Sequence, residues 1–79
     1  MGSTKRDYPR KLARKLTQVR TRAGLSQSEI AKELGVKDRA IISQFETGKR
    51  QPSLPVLLRY ARLAGVTVDV LIDDKVKLK

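Results

Sequence analysis

Cysteine and histidine are absent from this 79-residue sequence, and their absence closes several lines of chemistry at once. There can be no disulfide, no thiolate nucleophile, no zinc site of the usual Cys/His kind and no imidazole acid–base catalysis. The carboxylates do not replace them. Asp69, Asp73 and Asp74 lie close enough to suggest a divalent metal site, but a helix terminus and a solubilising tail account for them more simply. Neither a nucleophile–base pair nor a phosphate-cradling glycine loop is present, so a non-enzymatic protein with no cofactor is expected. Aromatic residues are also scarce. One Phe and two Tyr cannot build the stacking platform that single-strand or RNA-binding sheets require. No apolar run approaches the ~18–20 residues of a membrane span, and no charged n-region with an apolar h-region marks a secretory signal, so a cytoplasmic protein without membrane contact is the expectation.

Acidic charge is the remaining shortage. Eighteen Lys and Arg face eight Asp and Glu, for a net charge of +10. Such a balance favours a polyanionic partner, nucleic acid foremost, over the plainer reading that the excess only keeps a small protein soluble. A chain of this size forms one domain and buries only about 60% of its unfolded surface, so its core is small and a ligand cavity is not expected.

Residues 25–50, LSQSEIAKELGVKDRAIISQFETGKR, organise the rest. Ser26 and Glu29 form Ser-x-x-Glu, a capping box that opens a helix. Ile30, Ala31 and Leu34 recur at helical spacing, and Gly35 ends the helix where a left-handed residue costs least. Asp38 caps a second helix with Ile41, Ile42 and Phe45 on one side and Arg39, Ala40, Ser43, Gln44 and Thr47 on the other. Gly48 closes it, with Lys49 and Arg50 where cations suit a helix C-terminus. Two short helices joined at a glycine-containing turn match the helix-turn-helix, which lays its second helix in a DNA major groove. The outer face has fitting chemistry: Arg39 for guanine, Gln44 for the adenine edge, Ala40 for a thymine methyl and Ser43 for either. Solvent alone is the plain alternative for a polar outer face. The spacing of Ile42 and Phe45 puts them in the core rather than against bases.

Around this pair, residues 9–23 read as a helix, with Pro9 in its first turn and Leu12, Leu16, Val19 and Ala23 as its apolar stripe. Lys11, Arg14, Lys15 and Arg22 then make a solvated face, unless the fold brings the start of this helix near a phosphate backbone. Pro52 and Ser53 stop one helix and cap another, whose Leu54, Leu57, Leu58, Ala61 and Ala64 run to Gly65 as a back wall with Arg59 and Arg62 outward. Tyr60 is expected as a partial core residue. Thr67 caps a last short helix through Leu71. Its rival is a strand in the β-branched TVDVLID and the alternating KVKLK, which would offer an edge for dimer pairing.

GLSQSEIAKELGV followed by AIISQFETGKRQPSLPVLLRYARLAGVTVDVL resembles the DNA-binding domains of phage Cro and repressor proteins and of bacterial Xre-type regulators. The resemblance covers roughly residues 12–71, and LSQ, I-S-x-F-E-x-G-K-R and P-S-L are quite specific. It implies an all-α, five-helix domain over residues 9–72. A flexible basic arm over residues 1–8 precedes it, with Lys5 and Arg6 able to wrap the duplex, and a short C-terminal tail over residues 73–79 follows. It implies that Gln27, Thr47, Lys49 and Arg50 touch the DNA backbone or neighbouring bases, with Lys37 beside them, and that Arg20 pairs with Glu46 as a structural ion pair. One departure stands out: the span from Gly35 to Gly48 is one residue longer than the family's usual pattern, and either the turn or the start of the second helix must hold it. The implied function is sequence-specific binding of duplex DNA at a two-fold operator, with transcription repressed by promoter occlusion. The partner copy is a homodimer mate that assembles either only on the operator or through helix 5 and the tail. The alternative is an antitoxin or adaptor that also binds a partner protein through its tail.

Overall fold

Caps decide where the helices of this chain begin. The computed structural model describes residues 9–78, in which α1 (Leu12–Arg22), α2 (Gln27–Leu34), α3 (Arg39–Thr47), α4 (Leu54–Ala64) and α5 (Val68–Ile72) follow one another, and no described residue is in a strand. The arm expected over residues 1–8 lies outside the described residues. At α2 the capping box is complete: Glu29 N–H donates to Ser26 Oγ at 3.0 Å, and Ser26 N–H donates to Glu29 Oε1 at 2.8 Å. Those bonds hold the Glu29 carboxyl below its ordinary value, the Ser26 backbone bond first. At α3 the Asp38 carboxylate accepts from Ala40 N–H at 2.9 Å and Ile41 N–H at 3.4 Å. At α4 Ser53 Oγ accepts from Val56 N–H.

Two helix starts differ from the expectation. Thr67 precedes α5 in an extended conformation but makes no side-chain cap bond. The first helix starts at Leu12, not Pro9, and its own N-cap residue, Lys11, makes no side-chain cap bond. Asp74 supplies that cap from the far end of the chain, accepting from Arg10 N–H at 2.9 Å and Lys11 N–H at 3.0 Å.

The core lies where α1, α2, α3 and α4 converge and α5 closes one side. Leu16, Ile30, Leu34, Ile42, Tyr60 and Leu71 are completely enclosed. Phe45 meets Tyr60 edge to face, with ring centroids 6.5 Å apart and planes at 68°, the arrangement aromatic quadrupoles favour. Tyr60 is therefore a full core residue. In α4 the buried stripe is Leu57, Tyr60 and Ala61, while Leu54 and Leu58 are exposed; a helix apolar almost all round has two candidate faces, and the larger ring takes the inward one. Ala23 is likewise exposed, beyond the last turn of α1.

The sharpest correction concerns Lys15, which is only 4% exposed. Its Nζ donates to the carbonyls of Val70, Asp73 and Val76 at 2.7, 2.8 and 2.7 Å, which uses all three ammonium protons. These are carbonyls that α5 and the turn after it leave without helical partners, so a cation at this helix end is favoured twice. Nor does Arg59 simply point outward: its Nη1 donates to Leu34 O at 2.8 Å, at the end of α2. It passes so close to Gly35 that a Cβ there would meet Nη1 at 3.1 Å, in a residue whose φ of +69° already disfavours any side chain.

Candidate nucleic-acid interface

The interface is built on how α3 is held. Ile42 and Phe45 anchor it from behind, with Ile41 half-buried beside them. Its outer side carries Arg39 and Ala40, both exposed, in the first turn, then half-buried Ser43 and Gln44, then exposed Thr47. Arg39, Ser43 and Gln44 make no side-chain hydrogen bond to any described residue, so their donors and acceptors are open to a ligand. The α3 helix begins at its Asp38 cap, and Val36 and Lys37 lie in the turn between Gly35 and that cap.

Beyond Thr47 the backbone turns back on the helix. The Gln44 carbonyl accepts from Lys49 N–H at 2.9 Å, Arg50 N–H at 3.2 Å and Thr47 Oγ1 at 3.3 Å. Lys49 and Arg50 are thus placed by their backbones while their exposed side chains have no partner among the described residues. Lys37 is exposed in the α2–α3 turn, at the opposite end of α3.

The angle between α2 and α3 is set by a cluster around Glu46. Arg20 Nε donates to Glu46 Oε2 at 2.7 Å and Nη2 to Oε1 at 3.1 Å, a bidentate pair in which Arg20 is 18% and Glu46 7% exposed. A third arginine donor, Nη1, reaches Leu25 O at 3.0 Å. The Arg20 pKa is raised, first by the hydrogen bond to Glu46 and against the opposing effect of burial. Gln27 Nε2 donates to the same Glu46 Oε1 at 3.2 Å. One carboxylate therefore ties α1, the first residue of α2 and the last turn of α3, and the arginine it binds also holds the α1–α2 loop. Sequence reasoning missed the Gln27 bond, because no local spacing links residues 19 apart. Tyr60 Oη, buried nearby with no hydrogen-bond partner among the described residues, is pushed far up in pKa, by burial first and the Glu46 charge second.

Among the described residues no group of three or more carboxylates could hold a metal ion, and no helix is long and apolar enough to cross a membrane. What the site presents is a capped helix whose Arg39, Ser43 and Gln44 side chains, and the cations flanking both its ends, have no partner among the described residues. Residues 11–73 match the helix-turn-helix domain family. The HTH-type transcriptional activator BcrR of Enterococcus faecalis is 38% identical over 61 residues, 77% of this chain but 29% of that protein, so the chain spans less than a third of that relative. An uncharacterized HTH-type transcriptional regulator of Methanocaldococcus jannaschii is 38% identical over 55 residues, 70% of this chain and 82% of that protein. A family match over most of the length, laid on capped helices α2 and α3, makes this chain a member of the helix-turn-helix domain family.

Proposed function

We propose that the protein binds duplex DNA sequence-specifically and regulates transcription, α3 reading base edges in the major groove. The observation that carries this reading is the open polar face of α3 over the Ile42 and Phe45 anchor, held at a fixed angle to α2 by the Glu46 cluster. Arg39 and Gln44 are the bidentate readers, and Ala40 and Ser43 contribute apolar and single-bond contacts. Gln27, Lys37, Thr47, Lys49 and Arg50 position the domain on the phosphates. Gln27 does so with its amide partly committed to Glu46, which ties its orientation to that of α3.

Both relatives are named as HTH-type transcriptional regulators, which supports the regulatory part of the reading. Repression by promoter occlusion remains the proposed outcome, although one of them is named an activator. Two copies on a two-fold site, assembled on the operator, fit a domain of this size. The antitoxin or adaptor alternative draws no support from the tail, whose carbonyls and Asp74 are already engaged by α1.

Selection of bound duplexes from a random pool tests the proposal. A symmetric motif with half-sites one helical turn apart, roughly 34–36 Å, is expected; a pool that emerges unenriched rejects it.

A further inference from the structure

The first helix carries six cations near or within it whose roles the fold separates. Lys15 is buried on the tail carbonyls, and Arg20 is bound to Glu46. Arg22 reaches towards Leu78 O, and Lys11 sits in the field of Asp74. Arg14 is left, joined by Arg10 just before the helix. Both are exposed, and neither guanidinium has a partner among the described residues. They also share a location. Arg10 and Arg14 line a groove of about 560 Å³ together with Thr17, Gln18 and Glu46, so it runs from the start of α1 to the end of α3. Arg10 further lines an adjoining groove with Gly48, Arg50 and Gln51, in the loop that leaves α3.

Resting on the DNA-binding reading above, we propose that Arg10 and Arg14 are phosphate-binding residues that continue the Lys49–Arg50 contact along the same strand of the duplex. The backbone before α1 is not the binding element, because Asp74 already accepts from the Arg10 and Lys11 N–H groups. The binding groups are the two guanidiniums, whose planar forks match phosphate geometry. Gln18 adds a neutral donor along the same wall, while the Thr17 hydroxyl is spent on the Ala13 carbonyl. The contact carries affinity without sequence information, since it meets the backbone alone.

Salt titrations of the parent and of Arg10→Ala, Arg14→Ala and Arg62→Ala, on the selected duplex and on a random one, test this. Arg62 is the control: also exposed, it lines a separate groove with Glu33, Leu34 and Arg59. The expected result is that each of the first two variants weakens both duplexes alike and lowers the magnitude of the log K against log salt slope by about 0.9 per protomer. Arg62→Ala should leave the slope at the parent value. Equal losses in all three variants overturn the assignment, because net charge alone would then explain them. A parental slope in Arg10→Ala and Arg14→Ala, with the sequence preference intact, overturns it while the DNA-binding reading stands. A parent that binds neither duplex overturns both.

Discussion

Gln44 does two jobs through different atoms, and mutation can separate them. Its carbonyl gathers four donors, from Thr47, Gly48, Lys49 and Arg50, that fix the exit from α3, while its side-chain amide has no partner among the described residues. Gln44→Ala keeps the backbone and deletes the amide, so it should weaken the preferred duplex by about 1–3 kcal/mol and relax choice at one base pair, with the thermal melt unchanged. Binding titrations against single-base variants of the selected site check this. Glu46→Gln should do the reverse. It leaves the Arg20 guanidinium without its counter-charge at a mostly buried site, for a loss of roughly 2–3 kcal/mol of stability, below the ~3–5 of a fully buried pair because Arg20 is partly exposed. Urea unfolding would show it, and the preferred duplex should stay the same. Single residues also mark how far the sequence is readable. Positions 12, 15, 16 and 19 form one helical stripe, and the three leucine and valine members are legible as core. Lys15 occupies the fourth stripe position but reads as surface, because its carbonyl partners lie 55 to 61 residues away. The Arg20–Glu46 pair, 26 residues apart, is suggested by family resemblance and not by any local spacing.

Elements are more legible than residues because the devices that bound them are local. The Ser26–Glu29 box, the Asp38 cap and the left-handed glycines at positions 35, 48 and 65 each act within a few residues of the helix they delimit, so the boundaries of α2, α3 and α4 follow from spacing. The start of α1 does not, since its cap belongs to another element. The face of α4 does not either, since volume rather than periodicity chooses between Leu54–Leu58 and Leu57–Ala61. The Asp38 cap makes a prediction at this scale. Asp38→Ala strips the acceptor from the first turn of α3 and should cost about 1 kcal/mol of stability. Fraying there loosens Arg39 and Ala40 but not Gln44, so discrimination should fall at the base pair Arg39 reads and hold at that of Gln44. Comparing the motifs selected by the two proteins would show it.

At the scale of the whole molecule, two carboxyls of the described residues are held below their ordinary values, Glu29 in the α2 capping box and Asp74 where α1 meets the segment after α5. The Asp74 carboxyl is held below its ordinary value of 3.8, first by the Arg10 N–H and then by the Lys11 N–H. A group with a lowered folded-state pKa contributes stability that is complete above its unfolded value and lost as pH falls through the folded one. Thermal melts should therefore hold steady down to about pH 5 and decline below about pH 4, and Asp74→Asn should melt lower at neutral pH with a shallower acid decline. A parent and variant with parallel profiles would remove Asp74 from this role. The same junction shapes how the molecule comes apart. Residue 15 grips carbonyls up to residue 76, and residue 74 grips amides at 10 and 11, so α1 and the segment after α5 are reciprocal supports. Fraying of either costs the other: a fluctuation that peels Val76 away takes one of three carbonyls from a buried ammonium, and one that unwinds the start of α1 takes both N–H donors from the Asp74 carboxylate. The start of α1 and the segment after α5 thus open together, while Arg20 at the far end of α1 stays with Gln27 on Glu46.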